Sequence, residues 1–442
     1  MDQLDPAKES PATGSPAAGD QPPKVRVPVH RVLLRLCSLA LAVAAEALVT
    51  LPVLAGVRAV RGRDAAGRFL RRRLVRRIQA LGPTFVKFAQ IAGARRDVLP
   101  GPLCDELSRL HDSVRPITAR QSRRAWRKAY GGAPPPFLAG LDAVPVAGGS
   151  IACVYRGVLH DGRVVALKLK RPGIDGVMRA DLALIRALVR ACERLPQLRG
   201  MPMADLVGYV SNAILGQLDL RREEANIVRL RENLAAVPDV DVPELHPGLS
   251  RPTCLVFEFI PELDTRTPGT LPDPVRARLA SAVLSAAHKM MFVDGFVHCD
   301  PHPGNIYLLP RGRAVILDAG YSVQLPDRVR NLIGGFFSAL ASGDGRRCGE
   351  IMLASMADVG PDCDTDAFVD DIAELVARSA GPGNAFAMAP FGNGVFEVQS
   401  AHRLYAASDF AFPIMSLMIL ESTVRGLWPE ADFQQVGAAA PQ

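Results

Sequence analysis

The stretch GFVHCDPHPGN, residues 295–305, constrains this chain more tightly than any other segment of similar length. It sets His298, Asp300, His302 and Asn305 close together, and these are side chains that hold metals or move protons. On a helix His298 and His302 would share one face, four residues apart. Pro301 and Pro303 forbid that helix, because each lacks an N–H and restricts the residue before it. The segment therefore reads as a rigid loop that aims polar groups, and the fold around it must supply their target.

The chain is large enough to do so. Its 442 residues predict one large bilobal unit or two to three smaller domains, and 48% hydrophobic residues suffice for a sizeable core. The eight cysteines are scattered without a CxxC pair, which excludes a zinc framework and a secreted disulfide scaffold and fits buried thiols in a reducing compartment. A net charge of +7 allows anionic partners such as phosphates, nucleic acid or lipid head groups.

Along the chain, residues 1–30 read as a disordered tail rich in Pro, Ala, Ser and Gly. Residues 31–130 read as a helical extension. Within it, 36–57 are long and apolar enough for a membrane span. Glu46 near the middle, Pro52 as a helix interruption and basic flanks argue instead for a packed or interfacial helix, with a single span as the alternative. Nine arginines follow between Arg58 and Arg77, with Asp64 the one acid. The pair reads as a membrane-surface anchor, and few aromatics lie nearby to stack on bases, so no nucleic-acid partner is expected. After the linker GGAPPP (131–136) the pattern turns to short alternating strands, a β-rich lobe over 137–262 with a helical insert, and then a helical lobe over 263–435. The class is α+β.

Between the first strands lies a small-residue turn, Ala147, Gly148, Gly149 and Ser150, where backbone N–H groups can approach phosphates. Lys168 follows in VALKLK on a strand that also carries Lys170 on the same face, so periodicity alone does not choose between them. Asp300 stands five residues before Asn305, and Asp318 closes a strand ahead of Gly320. A carboxylate and an amide on neighbouring loops suit Mg²⁺, which takes few protein oxygens plus phosphates. This order of groups resembles the nucleotide set of protein kinases, and that pattern selects Lys168 as the phosphate-binding lysine.

The loop HCDPHPGN is similar to that of small-molecule phosphotransferases and closer to that of the UbiB/AarF atypical kinases. Outside the loop, LGPTFVKFAQ, VAGGSIACVYRG, VALKLKRPGI, QLDLRREEANIVRL and LVFEFIPE resemble the latter family over about residues 60–435. The resemblance implies a bilobal protein-kinase-like fold with an N-terminal helical extension over the cleft. It implies ATP and Mg²⁺ as ligands, with Glu223 pairing with Lys168, Asn305 and Asp318 at the metal, and Asp300 orienting the attacking hydroxyl or water. It places the hinge at Glu258 and Ile260. It brings Lys87 and Gln90 of a K-x-G-Q-like signature toward Gln217 and Asp219, which stand at the family's E-x-D carboxylates. It implies a cytoplasmic, membrane-associated ATPase or kinase that supports isoprenoid-quinone or other lipid metabolism, with biosynthetic-complex proteins as further partners. Ala89, Gln217 and Ala319 depart from the family pattern; Gln217 and Ala319 keep a nucleotide-binding pseudokinase scaffold open as an alternative, and the HCDPHPGN loop keeps a small-molecule phosphotransferase open as another.

Overall fold

The computed structural model describes residues 29–96, 98–107, 110, 117–192, 202–261, 263, 267–361, 363–379 and 386–430. The tail expected to be disordered, residues 1–28 of it, and most of LHDSVRP lie outside the described residues.

The N-terminal extension starts with α1 (Val29–Leu81), whose 53 residues break at Gly62 (φ 79°, ψ 179°) into two helical arms. A positive φ there is open to glycine at little cost. The second arm folds back on the first, because Arg73 and Arg77 both reach Glu46 and Arg77 also donates to the Ala42 carbonyl. Pro52 was expected to interrupt the helix and does not; the helix runs through it. The ring strands one carbonyl four residues earlier, on Leu48, which is 79% exposed and so can be solvated. Next come α2 (Pro83–Ala92), with proline in its first turn, α3 (Gly101–Leu107) and α4 (Ala119–Tyr130). Thr118 and Gln121 form a reciprocal capping box at the start of α4, and Gly131 ends it in a left-handed conformation.

The β-rich lobe is an antiparallel sheet of β1 (Leu138–Leu141), β2 (Ala147–Gly148), β3 (Ala152–Leu159) and β4 (Val164–Lys170). Three helices follow, α5 (Ile174–Cys192), α6 (Met203–Gln217) and α7 (Leu220–Leu234), before the short β5 (Val240–Asp241) and β6 (Cys254–Glu258). The sheet order is β1-β3-β4-β6, with β2 beside β3. Its strands alternate as the pleat requires. Val165, Leu167 and Leu169 bury one face of β4 together with Trp126 of α4, which meets Tyr155 edge-on at 5.4 Å. Lys168 and Lys170 are thereby left on the opposite face.

The helical lobe opens with α8 (Asp273–His288), which ends in a π-turn before Gly295. Four short strands carry the polar loops: β7 (Phe296–His298), β8 (Ile306–Leu309), β9 (Arg313–Ile316) and β10 (Ser322–Gln324). β7 pairs with β10, and β8 with β9, so the loop after β7 and the loop after β9 are neighbours. The rest is helical: α9 (Asp327–Ala341), α10 (Gly345–Ala354), α11 (Thr365–Ser379), α12 (Met388–His402) and α13 (Ser408–Leu427). α10 and α11 touch backbone to backbone at Gly349, where a Cβ would lie 2.8 Å from the Val369 carbonyl oxygen. Gly349→Val is expected to destabilise the fold by about 1–3 kcal/mol, read as a lower urea midpoint at unchanged m-value.

Candidate active site

Two loops meet between the lobes because the backbone ties them at both ends. Cys299 N–H donates to the Tyr321 carbonyl (2.8 Å), and Leu317 N–H donates to the Asn305 carbonyl (2.8 Å). The prolines keep the first loop out of helix, and its turns close through His302 N–H to the Asp300 carbonyl and Asn305 N–H to the His302 carbonyl. Thr423 of α13 anchors it from outside, donating to the Pro301 carbonyl at 3.0 Å. His298 is an internal brace. Its Nδ1 accepts the Asp300 N–H (3.1 Å), so its Nε2 carries the proton and donates to the Leu317 carbonyl (3.0 Å).

Asp318 has left-handed backbone angles (φ 55°, ψ 74°) and its carboxylate accepts the Gly320 N–H at 3.1 Å. Asn226 of α7 donates to the Ala319 carbonyl, which pins this loop against the helices beneath it. Ala319 is buried there, so the smaller side chain leaves no opening to solvent.

Lys168 lies at the centre. Its Nζ stands 2.5 Å from Glu223 Oε1 and 3.0 Å from Asp318 Oδ2. Burial works against its charge, but Asp318 and Glu223 outweigh that and hold the ammonium well above its ordinary range. Burial pushes Glu223 up to about 7, in spite of Lys168. Asp318, its side chain half-exposed, is held well below the usual carboxylate range by Lys168, with Lys87 beyond it, against the partial desolvation of its carboxylate. Lys170, on the same strand face, is occupied elsewhere, by Asp175 (2.7 Å) and the Leu218 carbonyl (2.5 Å).

Asp300 faces Lys87, with Nζ to Oδ2 at 2.8 Å. Burial would raise its carboxyl, but Lys87, His302 and His298 lower it on balance. The resemblance brings Lys87 toward Gln217 and Asp219. Gln217 carries no charge, and Asp219 is turned to cap α7, accepting the Arg221 N–H at 3.1 Å. Gln90 lies one turn on from Lys87 and donates to the Leu110 carbonyl. Gln217 is packed beside Gly320, with its Nε2 buried and unpaired.

The small-residue turn is the tip of the β2–β3 hairpin, with Gly149 N–H donating to the Ala152 carbonyl and Ser150 buried. Arg171, which sequence reasoning passed over inside VALKLKRPGI, donates to the Gly149 carbonyl and ties this tip to the end of β4. Glu258 ends β6 with its N–H already bonded to the Glu244 carbonyl. Ile260 is buried against Leu309 and Val315 below it.

The donor set fits a magnesium–nucleotide. Asn305 spends its amide N–H on the Asp300 carbonyl (2.9 Å), which leaves its Oδ1 as the free end. With Asp318 that makes two oxygen donors of the sparse kind Mg²⁺ takes alongside phosphates. Among the described residues no group of three or more His, Cys, Asp or Glu lies together as a metal cluster.

The ABC1 atypical kinase-like domain matches residues 109–352. The probable protein kinase UbiB of Vibrio atlanticus is 32% identical over 286 residues, 63% of this chain and 53% of that protein. The probable protein kinase UbiB of Azotobacter vinelandii is 32% identical over 302 residues, 67% of this chain and 56% of that one. The chain thus spans about half the length of the curated relatives it matches. Among solved structures, Rv3197 of Mycobacterium tuberculosis, in complex with erythromycin, has a TM-score of 0.55 at 20% identity, covering 79% of this chain and 88% of that one, a likeness of fold. The α+β, bilobal kinase-like architecture with its helical extension and the family resemblance both hold: this chain belongs to the ABC1 atypical kinase-like family, of the UbiB/AarF type.

Proposed function

We propose that this atypical kinase binds ATP with Mg²⁺ and hydrolyses it, or transfers its γ-phosphoryl group, at an anionic membrane surface in support of isoprenoid-quinone or other lipid metabolism. The observation that carries the nucleotide reading is the convergence of Lys168, Glu223 and Asp318 within 3.0 Å contacts beside Asp300 and Asn305. Lys168 binds phosphate oxygens, and Glu223 holds its ammonium in place. Asn305 and Asp318 hold the metal, whose charge offsets that building on the phosphates. Asp300, once free of Lys87, orients the attacking hydroxyl or water and accepts its proton. The turn from Ala147 to Ser150, held by Arg171, covers the phosphates, and the chain around Glu258 and Ile260 borders the base.

The membrane reading rests on the hairpin. Its first arm exposes Leu33, Leu34, Leu41, Val43, Leu48, Val49 and Leu51 to solvent, within a stretch of mean hydropathy 2.1. Its second arm carries most of the arginines, and Glu46 is neutralised by two of them. Such a unit suits the plane of the interface, apolar arm inward and guanidinium groups at the head groups. Carrying the second arm across would cost about 2.5–3.5 kcal/mol for each central arginine. The other long apolar helix, α13, is mostly buried in the helical lobe. Quinone or lipid metabolism, and partner proteins of a biosynthetic complex, come from the family resemblance.

ATP hydrolysis by full-length protein, with and without anionic phospholipid vesicles, tests both parts against an Asp318→Asn control. Turnover above that control in either condition is expected. None in either removes the enzyme reading. Thermal stabilisation by Mg-ADP without turnover would assign the chain instead to a nucleotide-binding scaffold, which the seated Lys87–Asp300 pair favours as the second reading.

A further inference from the structure

Between the two arms of the N-terminal hairpin runs a groove of about 410 Å³. Ala45, Glu46 and Val49 line it from the first arm, and Arg73, Arg76 and Arg77 from the second. Glu46 is a template. It accepts from Thr50 (2.8 Å) and Arg73 on one oxygen and faces Arg77 Nε at 2.5 Å on the other. An ion pair that merely clasps the arms explains Glu46, Arg73 and Arg77. It does not explain Arg76, which turns into the same groove and makes no ion pair or hydrogen bond among the described residues. Three guanidinium groups against one carboxylate leave the groove cationic, and its size is that of a small-ligand site. Leu41 and Leu48, 71% and 79% exposed, share the helical stripe of Ala45 and Val49, so an apolar track leads out of the cationic groove.

We propose that this groove is a binding site for one anionic phospholipid. Its phosphate sits among Arg73, Arg76 and Arg77, and its acyl chains lie along Leu41, Ala45, Leu48 and Val49. The proposal rests on the membrane-surface reading and sharpens it from a diffuse charge attraction to a discrete site. Planar guanidinium forks match phosphate oxygens in pairs, which scattered surface charge does not. A free phosphate would satisfy the arginines but leave the apolar track in water, so the lipid is the ligand that uses both.

The test is a titration of full-length protein with dihexanoyl phosphatidic acid below its micelle concentration, followed by calorimetry. Inorganic phosphate and dihexanoyl phosphatidylcholine serve as the other arms. Phosphatidic acid is expected to saturate at one per chain and to bind more than about tenfold more tightly than inorganic phosphate, since each buried methylene adds to affinity. Phosphatidylcholine is expected not to saturate. Arg76→Gln weakens phosphatidic acid binding about fivefold, while Arg68→Gln, an exposed arginine of the same arm outside the groove, changes it less than about twofold. Glu46→Gln removes the competing carboxylate and tightens it. Equal losses at Arg76 and Arg68, equal affinity for inorganic phosphate, or no saturation by phosphatidic acid overturns the site. The membrane reading fails separately, if wild-type protein does not co-sediment with phosphatidylcholine–phosphatidylglycerol vesicles. Co-sedimentation that Arg76→Gln leaves intact, without saturable binding of the short-chain lipid, keeps that reading and discards the groove.

Discussion

Lys168→Met is expected to lower kcat/KM for ATP by about a hundred- to a thousandfold, the loss seen when one preorganised charge-stabilising donor is removed from a polar active site. The protein should stay folded. Glu223, 2% exposed, would otherwise be left as an unpaired buried charge, a costly situation. Its carboxyl is already pushed up to about 7 by burial, so without the ammonium beside it the group takes up a proton near neutral pH. Lys170→Met makes the comparison sharp. That lysine shares the strand face but bonds to Asp175 and the Leu218 carbonyl, away from Asp318. Its loss should lower the melting temperature and leave kcat/KM within a few-fold, about 1 kcal/mol or less in the barrier. Steady-state ATPase assays and thermal melts of the two variants decide the matter. Equal loss of turnover in both would mean that the lysine nearest Glu223 has no special part in phosphate binding.

Lys87→Ala is expected to raise turnover, by about tenfold if the contact it breaks is worth ~1.4 kcal/mol in the barrier. Lys87 holds Asp300 at 2.8 Å, so the carboxylate assigned to the nucleophile is already engaged by an internal cation. Asp300 is 25% exposed at its side chain, so water can replace the lost partner and the fold should tolerate the change. The pH profile carries a second signature. Lys87 is the chief influence holding the Asp300 carboxyl down, so its removal moves that group up and shifts the acidic limb of the rate profile to higher pH. A fall in turnover with no such shift would place Lys87 within the catalytic machinery rather than against it.

The kinase-like core could be read from the chain because its groups are unusual in combination and because two prolines leave one reading of the loop at 295–305. The pleat of β4 could not separate Lys168 from Lys170; the motif order did, and their partners differ as it implies, with Glu223 lying 55 residues from Lys168. The partner of Lys87 was beyond sequence reasoning for a similar reason. The contact of Lys87 with Asp300 spans 213 residues. The pairing inside the hairpin was not legible either. Glu46 counted as an obstacle to an apolar environment, and the two arginines that neutralise it, Arg73 and Arg77, stand on the second arm. Gly62, set between Arg61 and Arg63, was the available sign that the helix doubles back there.

Arg35 at the base of the hairpin has a practical consequence for anyone preparing this protein. It reaches both carboxylate oxygens of Asp181 in α5, at 2.6 and 3.1 Å, and also the Leu81 carbonyl. Asp181 is wholly enclosed. Trimming the greasy N-terminal segment to improve solubility would therefore strip an interior acid of its counter-ion and loosen the entry to α2. A shortened version that precipitates or loses activity would be reporting that missing arginine as much as the missing anchor, and Asp181→Asn in the same background is the companion variant to make alongside it.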